Sequence, residues 1–355
     1  MKSSKYKPKW DPNTCNVYFE ENTWRNHGYL MPLAVMKTRP CHWFLHGGGC
    51  STCGYNLAAA LNCDVTKEQL LNQVHHLTKI LPPSAFPFIT LTSAGSFMDS
   101  REIADEIRLE ILRILDDKEY CHLNFESRPD VLQKRERLQN LHEAFNGSIS
   151  VGMGLESSSD YIRKFSINKG YTTRTFIKAT KSLKENDISY DAYVLCGKPF
   201  LSPKEDIEDA VKSIKFAFDK GCRWVILMTT NLQPHTLTYF MKKHGLYSLP
   251  KLWTPLEILR RLPGTLRKNV MLKGIDKAVP HPIKFATNCK YCTSGIVNAQ
   301  RQWNLTQDYS FIENVLDSCE CKKEWEQNLD DGMETKERVE KYYKILCDLL
   351  DIPFE

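Results

Sequence analysis

The chain has 355 residues, 42% of them hydrophobic and 26% charged, enough for one large domain with a sizeable core. No apolar run approaches the roughly 20 residues that cross a bilayer as a helix, and the basic start, Met1–Lys9, lacks the apolar segment of a secretory signal. A net charge of +5 permits a nucleic-acid partner without demanding one, and thirteen cysteines without a secretory signal point to a reducing, cytoplasmic setting and to metal chemistry over disulfides.

Residues 1–24 read as an N-terminal extension. Beyond them, apolar strand-like runs alternate with amphipathic helix-like runs. The predicted strands are Leu33–Met36, Phe88–Thr92, His122–Phe125, Ser148–Met153, Tyr190–Leu195 and Trp224–Met228. Helices are predicted near 66–80, 101–116, 130–145, 171–186, 204–219 and 235–245. This alternation makes βαβ units and a parallel sheet. Six units are too few for a closed eight-stranded barrel.

In parallel α/β folds, sites gather at the C-terminal ends of the strands. The polar motifs of this chain fall there. A cysteine loop follows the first strand, Ser93-Ala-Gly-Ser96 the second, Glu126-Ser-Arg128 the third and Gly154-Leu-Glu156 the fourth. After about residue 250 the pattern changes, broken by Pro250, Pro255, Pro263, Pro280 and Pro282. Glu334–Leu350 reads as a closing amphipathic helix. The organisation expected is an extension (1–24), a core (25–250) and a cysteine-containing C-terminal appendage (251–355).

Two cysteine groups carry chemistry. The first lies in Pro40-Cys-His-Trp-Phe-Leu-His-Gly-Gly-Gly-Cys-Ser-Thr-Cys-Gly-Tyr55. Cys41, Cys50 and Cys53 are one thiolate short of saturating a four-iron cluster, which leaves one iron open. A zinc knuckle completed by His42 or His46 is the other reading of the same spacing. The second group is Cys289-x2-Cys292 followed by Cys319-x-Cys321. Four thiolates suit a tetrahedral zinc or an auxiliary iron–sulfur cluster, with no ligand position left for substrate.

The first loop resembles the cluster loop of the radical S-adenosylmethionine (SAM) superfamily, with a C-x8-C-x2-C spacing in place of the commoner C-x3-C-x2-C. The wider gap is similar to that of the branch holding the elongator catalytic subunit and the archaeosine synthase radical SAM subunit (RaSEA). Further stretches resemble the RaSEA group: Asn124-Phe-Glu-Ser-Arg-Pro-Asp130, Val151-Gly-Met-Gly-Leu-Glu-Ser157, Ile167-Asn-Lys-Gly170, Lys198-Pro-Phe-Leu201 and Asn304-Leu-Thr-Gln-Asp308. Together these motifs span roughly residues 25–325.

The resemblance implies an α/β fold, a partial (βα)6 parallel barrel. It implies a [4Fe-4S] cluster on Cys41, Cys50 and Cys53, with SAM on the open iron. Reductive cleavage of SAM would yield a 5′-deoxyadenosyl radical that takes a hydrogen atom from the substrate. Ser93, Gly95 and Ser96 would receive the SAM ammonium, and Tyr55 would sit beside the cluster or the adenine. Glu126 and Glu156 would hold ribose hydroxyls or a substrate amine, and Arg163 would neutralise the SAM carboxylate. The RaSEA likeness implies lyase chemistry in tRNA modification: cleavage of a C–N bond in a lysine adduct of a 7-deazaguanine, leaving archaeosine. Its partners would be tRNA, a lysine-transferring subunit and an electron donor such as ferredoxin or flavodoxin, with no membrane. Two other readings stand beside it. One is the same scaffold acting on a small metabolite or peptide-derived substrate. The other is a non-catalytic RNA-interaction protein with zinc in both cysteine groups.

Overall fold

The computed structural model describes residues 11–24, 27–57, 59, 64–93, 95–317 and 319–354. Met1–Lys9 and Ala94 lie outside the described residues. Eight strands form one sheet in chain order: β1 (Asn16–Trp24), β2 (His27–Val35), β3 (Phe88–Thr92), β4 (His122–Glu126), β5 (Ser148–Glu156), β6 (Ser189–Cys196), β7 (Trp224–Thr229) and β8 (Val270–Lys273). β1 pairs antiparallel with β2, and every later neighbour is parallel. β1 and β8 are the two ends, so the sheet is an open half-barrel.

The helices among the described residues are α1 (His42–Gly47), α2 (Lys67–Ile80), α3 (Asp105–Asp117), α4 (Arg135–Ala144), α5 (Asp160–Ile162), α6 (Thr173–Glu185) and α7 (Pro203–Asp219). They continue as α8 (Leu237–Lys243), α9 (Trp253–Arg260), α10 (Gly264–Arg267), α11 (Thr293–Thr306), α12 (Ser310–Leu316), α13 (Cys321–Gln327) and α14 (Thr335–Leu350). Local signals set several starts. Thr66 with Gln69, and Ser202 with Glu205, form capping boxes on α2 and α7, and Pro203 supplies a preset φ at the first turn of α7.

Six predicted strands match β2 to β7, but two strands were not expected. β1 lies inside the 1–24 extension and β8 inside the 251–355 appendage, so both flanking segments contribute to the sheet. β1 carries a weak signal because Tyr18 and Phe19 are exposed neighbours, which blurs the period-two pattern. β8 is only four residues long. One hydrophobic core joins barrel residues such as Leu91, Phe125 and Val225 with Trp253, Leu256, Ile296 and Trp303 of the appendage.

α3 begins at Asp105, four residues after the predicted start. Buried Arg108 explains the delay: its guanidinium donates to the carbonyls of Phe97 (2.7 Å) and Ile103 (2.8 Å), tying 97–103 into turns. A second small core, of Phe200, Met241, Tyr247, Val339 and Leu346, docks α14 against α8 and the β6–α7 connection.

Alternate residues of each strand face the lumen, as the pleat requires. His122, Asn124 and Glu126 on β4, with Asp191, Tyr193 and Leu195 on β6, line one cavity of about 340 Å³.

Candidate active site

The cysteine loop closes the C-terminal end of this cavity. Cys41 stands at the N-cap of α1, and Gly48 and Gly49 then turn the chain with φ of +77° and +75°. These values suit glycine, which has no Cβ to clash. The loop is pinned from outside by the segment after β5. Asn168 donates from Nδ2 to the carbonyls of Gly47 (2.8 Å) and Gly49 (2.7 Å), while Trp43 Nε1 donates to the Asn168 carbonyl (2.7 Å). A Cβ on Gly170 would meet the Trp43 ring at 2.5 Å. The Ile167-Asn-Lys-Gly170 motif therefore acts as a mould for the cysteine loop. Ser51 completes the seam, donating from its backbone to Ile167 (2.9 Å) and accepting from Thr238 at the start of α8 (3.1 Å).

Burial, with Glu102 adding, pushes the Cys41 thiol up. Burial, with Cys50 adding, pushes Cys53 up to about 12. Glu102, which the sequence reading missed, ties this loop to the end of β3. Its carboxylate accepts from the backbone of His42 (2.9 Å) and of Ser96 (2.6 Å), and burial, the largest influence, raises its pKa to about 7. A Cβ on Gly95 would fall on that carboxylate. No local signal in the sequence marks Glu102, which stands among Asp99, Asp105 and Glu106.

Below the loop, Lys169 donates from Nζ to Glu156 (2.7 Å). Burial opposes its charge, yet Glu156 and nearby Cys50 hold the ammonium well above the ordinary lysine range. Arg128 lies between the Trp43 and Tyr171 rings, 5.5 and 5.3 Å from their centroids. At mid-depth, Thr92 and Tyr193 donate their hydroxyls to the two oxygens of Glu126, each at 2.5 Å. Gly152 makes room: a Cβ there would stand 3.0 Å from the Tyr193 ring and 3.3 Å from the Glu126 side chain.

Deeper still, His122 contacts Ser148 Oγ (2.7 Å) and Ser150 Oγ (2.9 Å), and Asn124 donates to Ser150 (2.7 Å). Burial, reinforced by Arg223, lowers the His122 pKa to about 4, so its ring is neutral. Arg223 grips Asp191 with two nitrogens, at 2.8 and 3.0 Å.

The structure thus brings Cys50, Cys53, Tyr55, Gly95, Glu126 and Glu156 onto one cavity. Cys41, Ser93, Ser96 and Arg163 are not among its lining residues. Arg163, expected beside the SAM carboxylate, is held by protein partners. Its buried guanidinium is engaged by the Ser157 carbonyl, Asp160 and Thr173, and it leans on the Tyr171 ring. Its buried Nε has no hydrogen-bond partner among the described residues. Arg128, given less prominence from sequence, reaches the lining instead.

The second cysteine group is assembled outside this cavity. Cys289 Sγ lies 3.5 Å from Cys292 and 3.4 Å from Cys319, and Cys292 lies 3.6 Å from Cys321.

The class is an open, mostly parallel half-barrel with its cysteine loop at the strand C-termini and two of the three cysteines, Cys50 and Cys53, on the lumen. No family model matches the chain. It is 30% identical over 305 residues to archaeosine synthase subunit beta of Methanosarcina acetivorans, covering 83% of this chain and 84% of that one. It is 28% identical over 307 residues to the protein of the same name from Thermococcus kodakarensis, covering 84% and 91%. The chain belongs to the archaeosine synthase subunit beta family. Among solved structures it is similar to an archaeal Elp3 from Methanocaldococcus infernus, with TM-score 0.49 and 17% identity, covering 77% of this chain and 63% of that one.

Proposed function

We propose that this chain uses a [4Fe-4S] cluster and SAM to cleave a C–N bond in a lysine adduct of a 7-deazaguanine in tRNA. The observation that carries this reading is the shared cavity. Cys50 and Cys53 open onto the same lumen as Glu126, Glu156 and Lys169, in a chain whose relatives are named archaeosine synthase subunit beta.

The residues present fit the two groups. Three free thiols suit a cluster with one open iron. Buried Thr229 Oγ1 and Gln233 Oε1, on the cavity wall, have no partner among the described residues, and such atoms are costly unless a ligand or water meets them. When bound, the cluster and SAM supply the one-electron chemistry that removes a hydrogen atom from the substrate. Cys41, Cys50 and Cys53 would hold the cluster. Glu126, fixed by Thr92 and Tyr193, offers a preset carboxylate for hydroxyls or an amine. Glu156 and Lys169 present opposite charges beneath the loop. The floor suits an amino-acid head on an aliphatic arm: Asp191 and Arg223 provide opposite charges, and Leu33, Ile226 and Met271 line apolar wall.

The test is anaerobic reconstitution, then incubation with SAM, a reductant and tRNA bearing the lysine adduct. Methionine, 5′-deoxyadenosine and archaeosine are expected, all lost in Cys50→Ala. SAM cleavage that responds to a free small molecule and not to the modified tRNA would move the assignment to a metabolite substrate. No SAM cleavage by a fully iron-loaded protein would overturn the radical reading.

A further inference from the structure

We infer that Cys289, Cys292, Cys319 and Cys321 hold one tetrahedral zinc ion, and that this ion anchors the helix bridging the two free edges of the open barrel. The inference stands apart from the choice of substrate. All four Sγ atoms lie within 4.8 Å of one another. Thiolates at the usual Zn–S distance of about 2.3 Å stand about 3.8 Å apart at the corners of a tetrahedron. In a [4Fe-4S] cluster each cysteine holds a different iron, so the sulfurs spread around a cube instead of converging on one point. The all-thiolate donor set excludes magnesium and calcium, which take oxygen ligands. Trp253 Nε1 donates to Cys321 Sγ (3.4 Å), the kind of outer hydrogen bond that orients a ligand.

The position of the site gives the ion its role. Cys292 is the N-cap of α11, and Cys321 opens α13. Along α11, Gln300 and Asn304 donate to the Leu272 carbonyl, each at 2.7 Å, and Asn304 accepts from the Leu272 amide (2.9 Å). Trp303 donates to the Val270 carbonyl (2.9 Å). These are backbone groups that a ninth strand would otherwise take, so α11 covers the β8 edge with side chains. The same helix also packs on β1 and β2, at the opposite end of the sheet. Met271 and Lys273, which alternate with Val270 and Leu272, line the cavity. Holding α11 therefore holds one wall of the active-site lumen. Zinc is redox-silent and fits a clamp.

The test uses the full chain carrying Cys41→Ala, Cys50→Ala and Cys53→Ala, which cannot build the loop cluster. One zinc per chain without iron or sulfide is expected, and it should be lost on adding Cys289→Ser and Cys292→Ser. Iron retained at this site, or no metal at all, overturns the assignment. Because the serine variant can fail to fold, the zinc is also exchanged for cobalt with all four cysteines intact. Intense thiolate-to-cobalt bands of a tetrahedral site are expected, and a weak six-coordinate spectrum overturns it. For the clamp, hydrogen exchange is compared in zinc-loaded and chelator-stripped protein. Amides of β8 and α11 should exchange at least tenfold faster after stripping, with α6 unchanged; equal protection overturns the role.

Discussion

Glu126 shows how one lumen carboxylate is made rigid. Both oxygens receive a hydroxyl, and hydrogen bonds to a charged group are worth about 1.5–3 kcal/mol. Tyr193→Phe should cost about 1–2 kcal/mol in thermal unfolding and weaken SAM binding in calorimetry, because the freed carboxylate can rotate. Unchanged SAM affinity would mean that Glu126 serves only the barrel. His122 makes a pH prediction. Its folded pKa, about 4, lies below the ordinary 6.5, so the unfolded chain takes up the proton first. Stability from the neutral ring is full above pH 6.5 and is lost as pH falls through 4. Relative to wild type, His122→Gln should remove about 3 kcal/mol of that acid sensitivity, read from denaturant midpoints across pH 7 to 4. Residues such as Glu126 and Glu156 were legible because a strand end already marks a site. Glu102 was not. It lies 60 positions from His42, and only folding makes it the acceptor for that amide.

The segment after β5 is where local geometry and cluster chemistry meet. Asn168 takes the left-handed conformation and spends both amide hydrogens on the cysteine loop. Asn168→Ala should lower iron incorporation on reconstitution severalfold while shifting global stability by only about 1–2 kcal/mol. Full iron loading would show that the loop shapes itself. The closing helix is held differently. Arg338 is buried in α14 and pairs with Glu205 at 2.5 Å and with Asp331. Glu205 and Asp331 keep access to solvent, so the loss falls mainly on the Phe200 and Met333 carbonyls that Arg338 also serves, and Arg338→Ala should cost about 1–3 kcal/mol, measured by urea unfolding. Helix positions were readable from period and caps, as α7 and α14 show. The late start of α3 was not, because Arg108 orders the preceding turns through contacts that no local pattern encodes.

For the molecule as a whole, charge and topology matter most. A protein of net charge +5 that binds tRNA must displace counterions. Its affinity for the modified tRNA should fall about tenfold or more between 50 and 200 mM salt, measured by filter binding. A flat salt response would argue against an RNA substrate. Two features were readable along the chain. Alternating strand and helix periods specified βαβ units and a parallel sheet, and cysteine spacing marked two candidate ligand groups, because periodicity and ligand spacing are local properties. Three others depended on the folded arrangement. β1 and β8 joined the sheet through pairings too short or too mixed to mark themselves. Arg163 paired with Asp160, and α11 came to span both barrel edges. The β8 pairing with β7 and the span of α11 rest on partners distant in sequence, whereas β1 and Arg163 use near neighbours whose choice is set only when the surrounding core packs.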